Sequence, residues 1–169
     1  YDTVYAAKLK TLINQLLAMY ETLFDRRAHT IHQAFYDGLA AEALIDYYRY
    51  VTPDARIPAA IRKMLDFTWE IAWDQKAESL AYQPDRMPWL GHNGLLGLVV
   101  PAYAWYYGLT GELQYLQRGD ELFGHIFDEP FWSGKQFSQT YRWTFDYVKW
   151  RSVVAGSVKL TLPEHLYPS

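Results

Sequence analysis

Residues 38–65 (GLAAEALIDYYRYVTPDARIPAAIRKML) and residues 97–123 (GLVVPAYAWYYGLTGELQYLQRGDELF) can be laid over one another. Gly38 matches Gly97 and the pair Tyr47-Tyr48 matches Tyr106-Tyr107. After a one-residue gap Thr52 matches Thr110, so the period is close to 58. Each copy holds an apolar helix, a short turn and an amphipathic helix, which is an αα-hairpin whose first helix is the more buried. Hairpins of this kind stack into a toroid or solenoid, because inner helices meet neighbours on every side while outer helices keep a wet face. The expected fold is therefore all-α, with antiparallel αα-hairpin repeats and about six helices.

The hydrophobic periods place those helices. From Thr3 to Phe24, Leu9, Leu12, Ile13, Leu16, Leu17, Tyr20 and Leu23 recur at three- and four-residue steps behind a capping Asp2. The polar segment Asp25–Gln33 reads as a connection to a helix from about Phe35 to Tyr50, with Pro53 beyond it. Pro58 sits where a first-turn proline is tolerated. After it Ile61, Leu65, Trp69 and Ala72 oppose Arg62, Asp66, Glu70 and Asp74, the two faces of a surface helix. Pro84 and Pro88 interrupt Gln75–Trp89, which reads as a long loop. Met87–Gly111 contains no charged residue, but Pro88, Gly91, Gly94 and Gly97 leave its apolar run too short for a bilayer. It reads as a helix buried on all sides, with a kink or a later start at Pro101. Further helices are expected over about Leu113–Phe127 and Phe137–Val154. Residues 1–155 then form one repeat domain and 156–169 an irregular tail closed by Pro163 and Pro168.

Composition narrows the chemistry. The 169 residues are half hydrophobic with a net charge of -3, which fits one globular domain. Cysteine is absent, which removes disulfides, cysteine–zinc sites and thiol nucleophiles. The 15 Tyr and 7 Trp are the outlier, since such rings either fill cores or offer flat faces to ligands. The chain starts at Tyr1 and shows no signal-peptide pattern, so it reads as a processed or excised piece. No phosphate loop, GxSxG elbow, HExxH or EF-hand pattern occurs, and no cofactor is expected.

The phrases DGLAAEALIDYYRYVTPDARIPAAIRKMLDFTW and NGLLGLVVPAYAWYYGLTGELQYLQRGDELF, within residues 34–128, resemble the repeat units of the six-hairpin glycosidase superfamily. These are the (α/α) toroids of glycoside hydrolases and polysaccharide lyases. The resemblance implies carbohydrate binding or processing, an oligosaccharide or polysaccharide partner, and a secreted or periplasmic location. A full toroid has twelve helices, so about six imply half of one, as a fragment or a shorter relative.

In such toroids ligands enter a central funnel lined by loops, which here are His29–Asp37, Asp85–Asn93 and the region Lys135–Asp146. The second gathers Asp85, Arg86, Trp89, His92 and Asn93 within nine residues, beside glycines that admit a ligand to the backbone. The plainer reading makes Asp85 and Arg86 surface charges and Asn93 a helix cap. Asp37, matched in the repeat to Leu96, brings a charge to an otherwise apolar helix, where it must face the funnel or find a partner. Hydrolysis needs two carboxylates roughly 5 to 10 Å apart, for which Asp37 and Asp85 are the candidates. A lyase would use a Tyr or His base beside a cation, for which Tyr36, His92 and Arg142 are available. Asp37, Asp85 and His92 are thus the catalytic candidates, and Tyr36, Arg86, Trp89, Asn93, Tyr141 and Arg142 the substrate-binding ones. His29 and His32 lack a clear third ligand, so no metal is expected.

The last helix is basic and aromatic, but Arg142 and Asp146 are spaced to pair, and residues 112–129 hold five acids against one base. With the negative net charge this argues against a nucleic-acid partner. The rival to the carbohydrate reading is a non-catalytic helical scaffold, whose aromatic surface packs against another chain or the missing half of the toroid.

Overall fold

The structure, a computed structural model, describes residues 3–25, 33–83, 87–91, 93–128 and 134–152, with side chains at 4–23, 33–83, 95–127, 134 and 137–152. The predicted tail 156–169 lies outside the described residues. The fold is all-α. Its six helices are α1 (Thr3–Asp25), α2 (Ala34–Tyr50), α3 (Arg56–Ala72), α4 (Asn93–Thr110), α5 (Leu113–Asp128) and α6 (Gly134–Arg151). None of the helices described is long and apolar enough to cross a membrane.

The segment expected to be a loop is instead a small antiparallel meander of β1 (Trp73–Asp74), β2 (Ser79–Gln83) and β3 (Met87–Gly91), with β2 in the middle. Trp73 faces Leu80 and Asp74 faces Ser79 in the first pair. Ala81 faces Gly91 and Gln83 faces Met87 in the second, with a register shift between them. The turn is closed locally: the Asp74 carboxylate accepts from the Lys76 and Ala77 N–H groups, and Glu78 takes a φ of 49°. Pro88 lies on an outer strand of this meander, where a missing ladder donor is tolerated. Strands this short carry too few residues for an alternating pattern to stand out.

Helix α4 is the hub and touches α2, α3, α5, α6 and β2. Its sequence is apolar all round, and every residue from Leu96 to Tyr106 is buried, continuous across Pro101. Helices α3 and α5 each bury one stripe, Ile57, Ile61, Leu65 and Thr68 on the first, Tyr115, Leu122 and Ile126 on the second. The two outer helices are tied together at Asp66, which accepts from the Tyr115 hydroxyl at 3.1 Å and from Arg118 at 3.0 Å. Side chains as large as Trp105 and Leu44 are wholly buried, and each contributes about 1.5–3 kcal/mol through removal from water.

Helices α2, α4 and α6 lie side by side and run the same way. The fifth residue of each is Gly38, Gly97 and Ser138, and the fourteenth is Tyr47, Tyr106 and Tyr147, all three tyrosines being buried. Gly38 backs onto the Leu98 backbone so closely that no side chain fits between. A Cβ on Gly97 would stand 3.1 Å from the Thr140 Cα. The matched glycines therefore do the same work, letting one inner helix approach the next.

Candidate functional site

The contacts at Gly38 and Gly97 place α2 and α6 on either side of α4, and the three helices enclose a groove of about 210 Å³. Leu98, Pro101 and Ala102 of α4 line its floor. The walls carry charge at matching positions: Glu42, Asp46, Arg49 and Tyr50 on α2, and Arg142, Asp146, Lys149 and Trp150 on α6. These are the ninth, thirteenth, sixteenth and seventeenth residues of the two helices, spacings that keep them on one helical face. The pattern was present in the sequence as two series offset by one hundred positions, but only the packing of both helices on α4 joins them.

The charged groups organise one another. Arg142 donates to the Glu42 carboxylate at 2.8 Å, bridging the two walls, rather than pairing within its own helix with Asp146. Arg49 lies 3.8 Å from Asp46 and also over the Trp150 and Tyr50 rings, each at 4.4 Å. Arg142 covers Trp143 at 4.4 Å and Lys149 covers Trp150 at 4.8 Å. Burial pushes the Asp46 carboxyl above the usual carboxylate range, and Glu42 and Asp146 push the same way, while Arg49 and Lys149 oppose them. Three acids and three bases line the groove, so its formal charge is zero.

Of the residues proposed from sequence, Arg142 stands in this groove. Asp37 lies off it, at 3% exposure, accepting the Thr68 hydroxyl of α3 at 2.5 Å and the Tyr20 phenol of α1. Tyr36 is exposed, its ring tilted against Phe35 at 4.2 Å. Tyr141 is exposed on another side of α6, between Phe137 and Phe145. The side chains of Asp85, Arg86, Trp89, His92 and Asn93 lie outside the described residues, as do those of His29 and His32. The acidic and basic segments meet where Arg151 of α6 bonds Asp120 of α5 at 2.6 Å.

A second hollow, about 260 Å³ between α1 and α3, is lined by Leu17, Ala18, Ala59 and Ala60, and its Arg56 is already held by Asp54 and Asn14. Asn14, Tyr20, Glu21 and Lys63 complete its lining. Among the described residues no cluster of three His, Asp or Glu side chains is placed to hold a metal ion. No protein-family model, curated protein or solved structure matches the chain.

Proposed function

We propose that the groove between α2, α4 and α6 binds a neutral carbohydrate, in keeping with the resemblance to the (α/α) toroids. The observation that carries this reading is the combination of Trp143, Trp150 and Tyr50 with three carboxylates and three cations in one concave site of zero net charge. A sugar that draws Arg49 and Arg142 off Tyr50 and Trp143 would stack its apolar side on those rings, while the freed guanidinium groups and the carboxylates hydrogen-bond its hydroxyls. A polyanion would find no net field to draw it in.

The test is a titration with neutral and uronate-containing oligosaccharides, followed by tryptophan fluorescence. A neutral oligosaccharide should change the emission of the parent protein, and the change should vanish in a Trp143→Phe, Trp150→Phe double variant. A response that survives the double variant places binding elsewhere, and silence across the whole panel removes the carbohydrate reading.

A further inference from the structure

Two indole N–H groups are closed to water and have no acceptor among the described residues, those of Trp105 and Trp143. A buried donor left unpaired is costly, so each calls for a physical account. Trp105 is wholly enclosed on α4, edge-on to the Tyr48 ring at 5.6 Å, and belongs to the core. Trp143 is different, because it is only half-buried and lines the groove between α2, α4 and α6. Its Nε1 is a donor already stripped of water at the wall of a cavity. A ligand that brings an acceptor gains the hydrogen bond without the usual cost of stripping the donor.

The surroundings narrow the kind of acceptor. The neighbouring Arg142 lies over the same indole at 4.4 Å and is the cation that a stacking sugar must draw aside. Arg142 and Lys149, the cations of this wall, only donate. A hydroxyl set against Trp143 accepts its N–H but must also place a proton of its own. A carbonyl oxygen has two lone pairs and no proton, so it can accept from the Trp143 N–H and from the displaced guanidinium together. A carboxylate could accept in the same way but carries a charge, and three acids against three bases leave the groove no net field to hold it. The floor of Leu98, Pro101 and Ala102 is apolar and suits a methyl group beside that carbonyl.

We propose that the groove selects a sugar bearing an acetamido group, an N-acetylated hexosamine, whose carbonyl oxygen accepts the Trp143 N–H and whose methyl rests on the α4 floor. The proposal rests on the reading of the groove as a site for neutral carbohydrate and names the sugar class within it. Trp143 is then the residue that sets specificity. Exchanging the acetamido group for a hydroxyl removes the carbonyl acceptor and the methyl together.

The test compares N,N′-diacetylchitobiose with cellobiose, which has the same linkage and hydroxyls in place of both acetamido groups, by calorimetry on the full chain. The acetylated disaccharide should bind more tightly by about tenfold or better, the usual consequence of satisfying a buried donor. In tryptophan-labelled protein the Trp143 indole N–H resonance should move downfield on binding, while that of Trp105 stays in place. Trp143→Phe keeps a ring and loses the donor, and it should remain folded by circular dichroism and lose most of the preference. Equal affinities in the parent protein, or a preference kept whole in Trp143→Phe, overturn the proposal and leave the neutral-carbohydrate reading standing. Silence toward both disaccharides while other neutral oligosaccharides bind overturns it as well. Silence across every neutral oligosaccharide removes the underlying reading and this proposal with it.

Discussion

Asp37 is buried in the first turn of α2, where the helix N-terminus favours a carboxylate and where α1 and α3 both supply donors. Burial, with Asp37 beside it, drives the Tyr20 phenol far above its ordinary value and keeps it a donor. Asp37→Ala should therefore lower unfolding free energy by about 2–4 kcal/mol, by taking the carboxylate acceptor from Thr68 and from Tyr20, whose hydroxyl keeps the Tyr36 carbonyl at 3.4 Å. An unchanged denaturant midpoint would show that this tie carries no stability. From sequence, a charge entering an apolar helix is visible as an anomaly, but its partners come from other helices and are not. Two further carboxylates have opposite signs. Asp46 is raised by burial and by Glu42, so its ionised form works against the fold. Asp46→Asn should be the more stable protein at pH 7, and that advantage should fade as pH falls through the raised native value. At Asp120 burial pulls upward, but the Arg151 and Tyr147 hydrogen bonds outweigh it and the carboxyl sits below its usual range. Its contribution is present above the unfolded value and lost as pH falls through the native one, so Arg151→Met should flatten the acid side of the stability curve. Urea midpoints across acid pH measure both slopes.

At the scale of the elements, the hydrophobic periods located all six helices to within a few residues, because each buries a stripe or, in α4, its whole surface. In the sequence the likeness between helices is visible only for α2 and α4. Helix α6 begins 41 positions after α4, whereas α4 begins 59 after α2, since the meander lengthens one connection and not the other. A fixed period does not reach α6, although all three helices carry a buried tyrosine at the fourteenth position. The glycines at the fifth position supply the test. Gly38→Ala must separate α2 from the Leu98 backbone, which does not yield as a side-chain tip would. It should cost about 1–3 kcal/mol or more, the usual penalty for overpacking. Gly124→Ala on α5 has nothing within 4 Å of the added carbon and should instead stabilise by about 0.5–1 kcal/mol, the helix preference for alanine. If both substitutions move the thermal midpoint the same way, close approach of α2 and α4 is not what Gly38 provides.

Across the whole molecule, the groove is the place where charge is concentrated and balanced at once, in a chain whose net charge is -3. A binder of phosphate or uronate polymers must gather uncompensated cations, and its affinity falls as salt is added because bound counterions are released on binding. Here each cation of the groove stands beside an acid or over a ring, as Arg142 does with Glu42 and Trp143. Added salt screens such pairs but leaves stacking and sugar hydrogen bonds largely untouched. The affinity for a neutral oligosaccharide should thus stay nearly constant from low to high ionic strength, as read by the tryptophan titration. A steep loss of affinity with salt would mean that the cations act on an anionic ligand and that their pairing with Glu42 and Asp46 opens when it binds. In that case Glu42→Gln, by loosening Arg142, should strengthen binding, whereas for a neutral sugar the same substitution replaces one of two acceptor oxygens with a donor and weakens it.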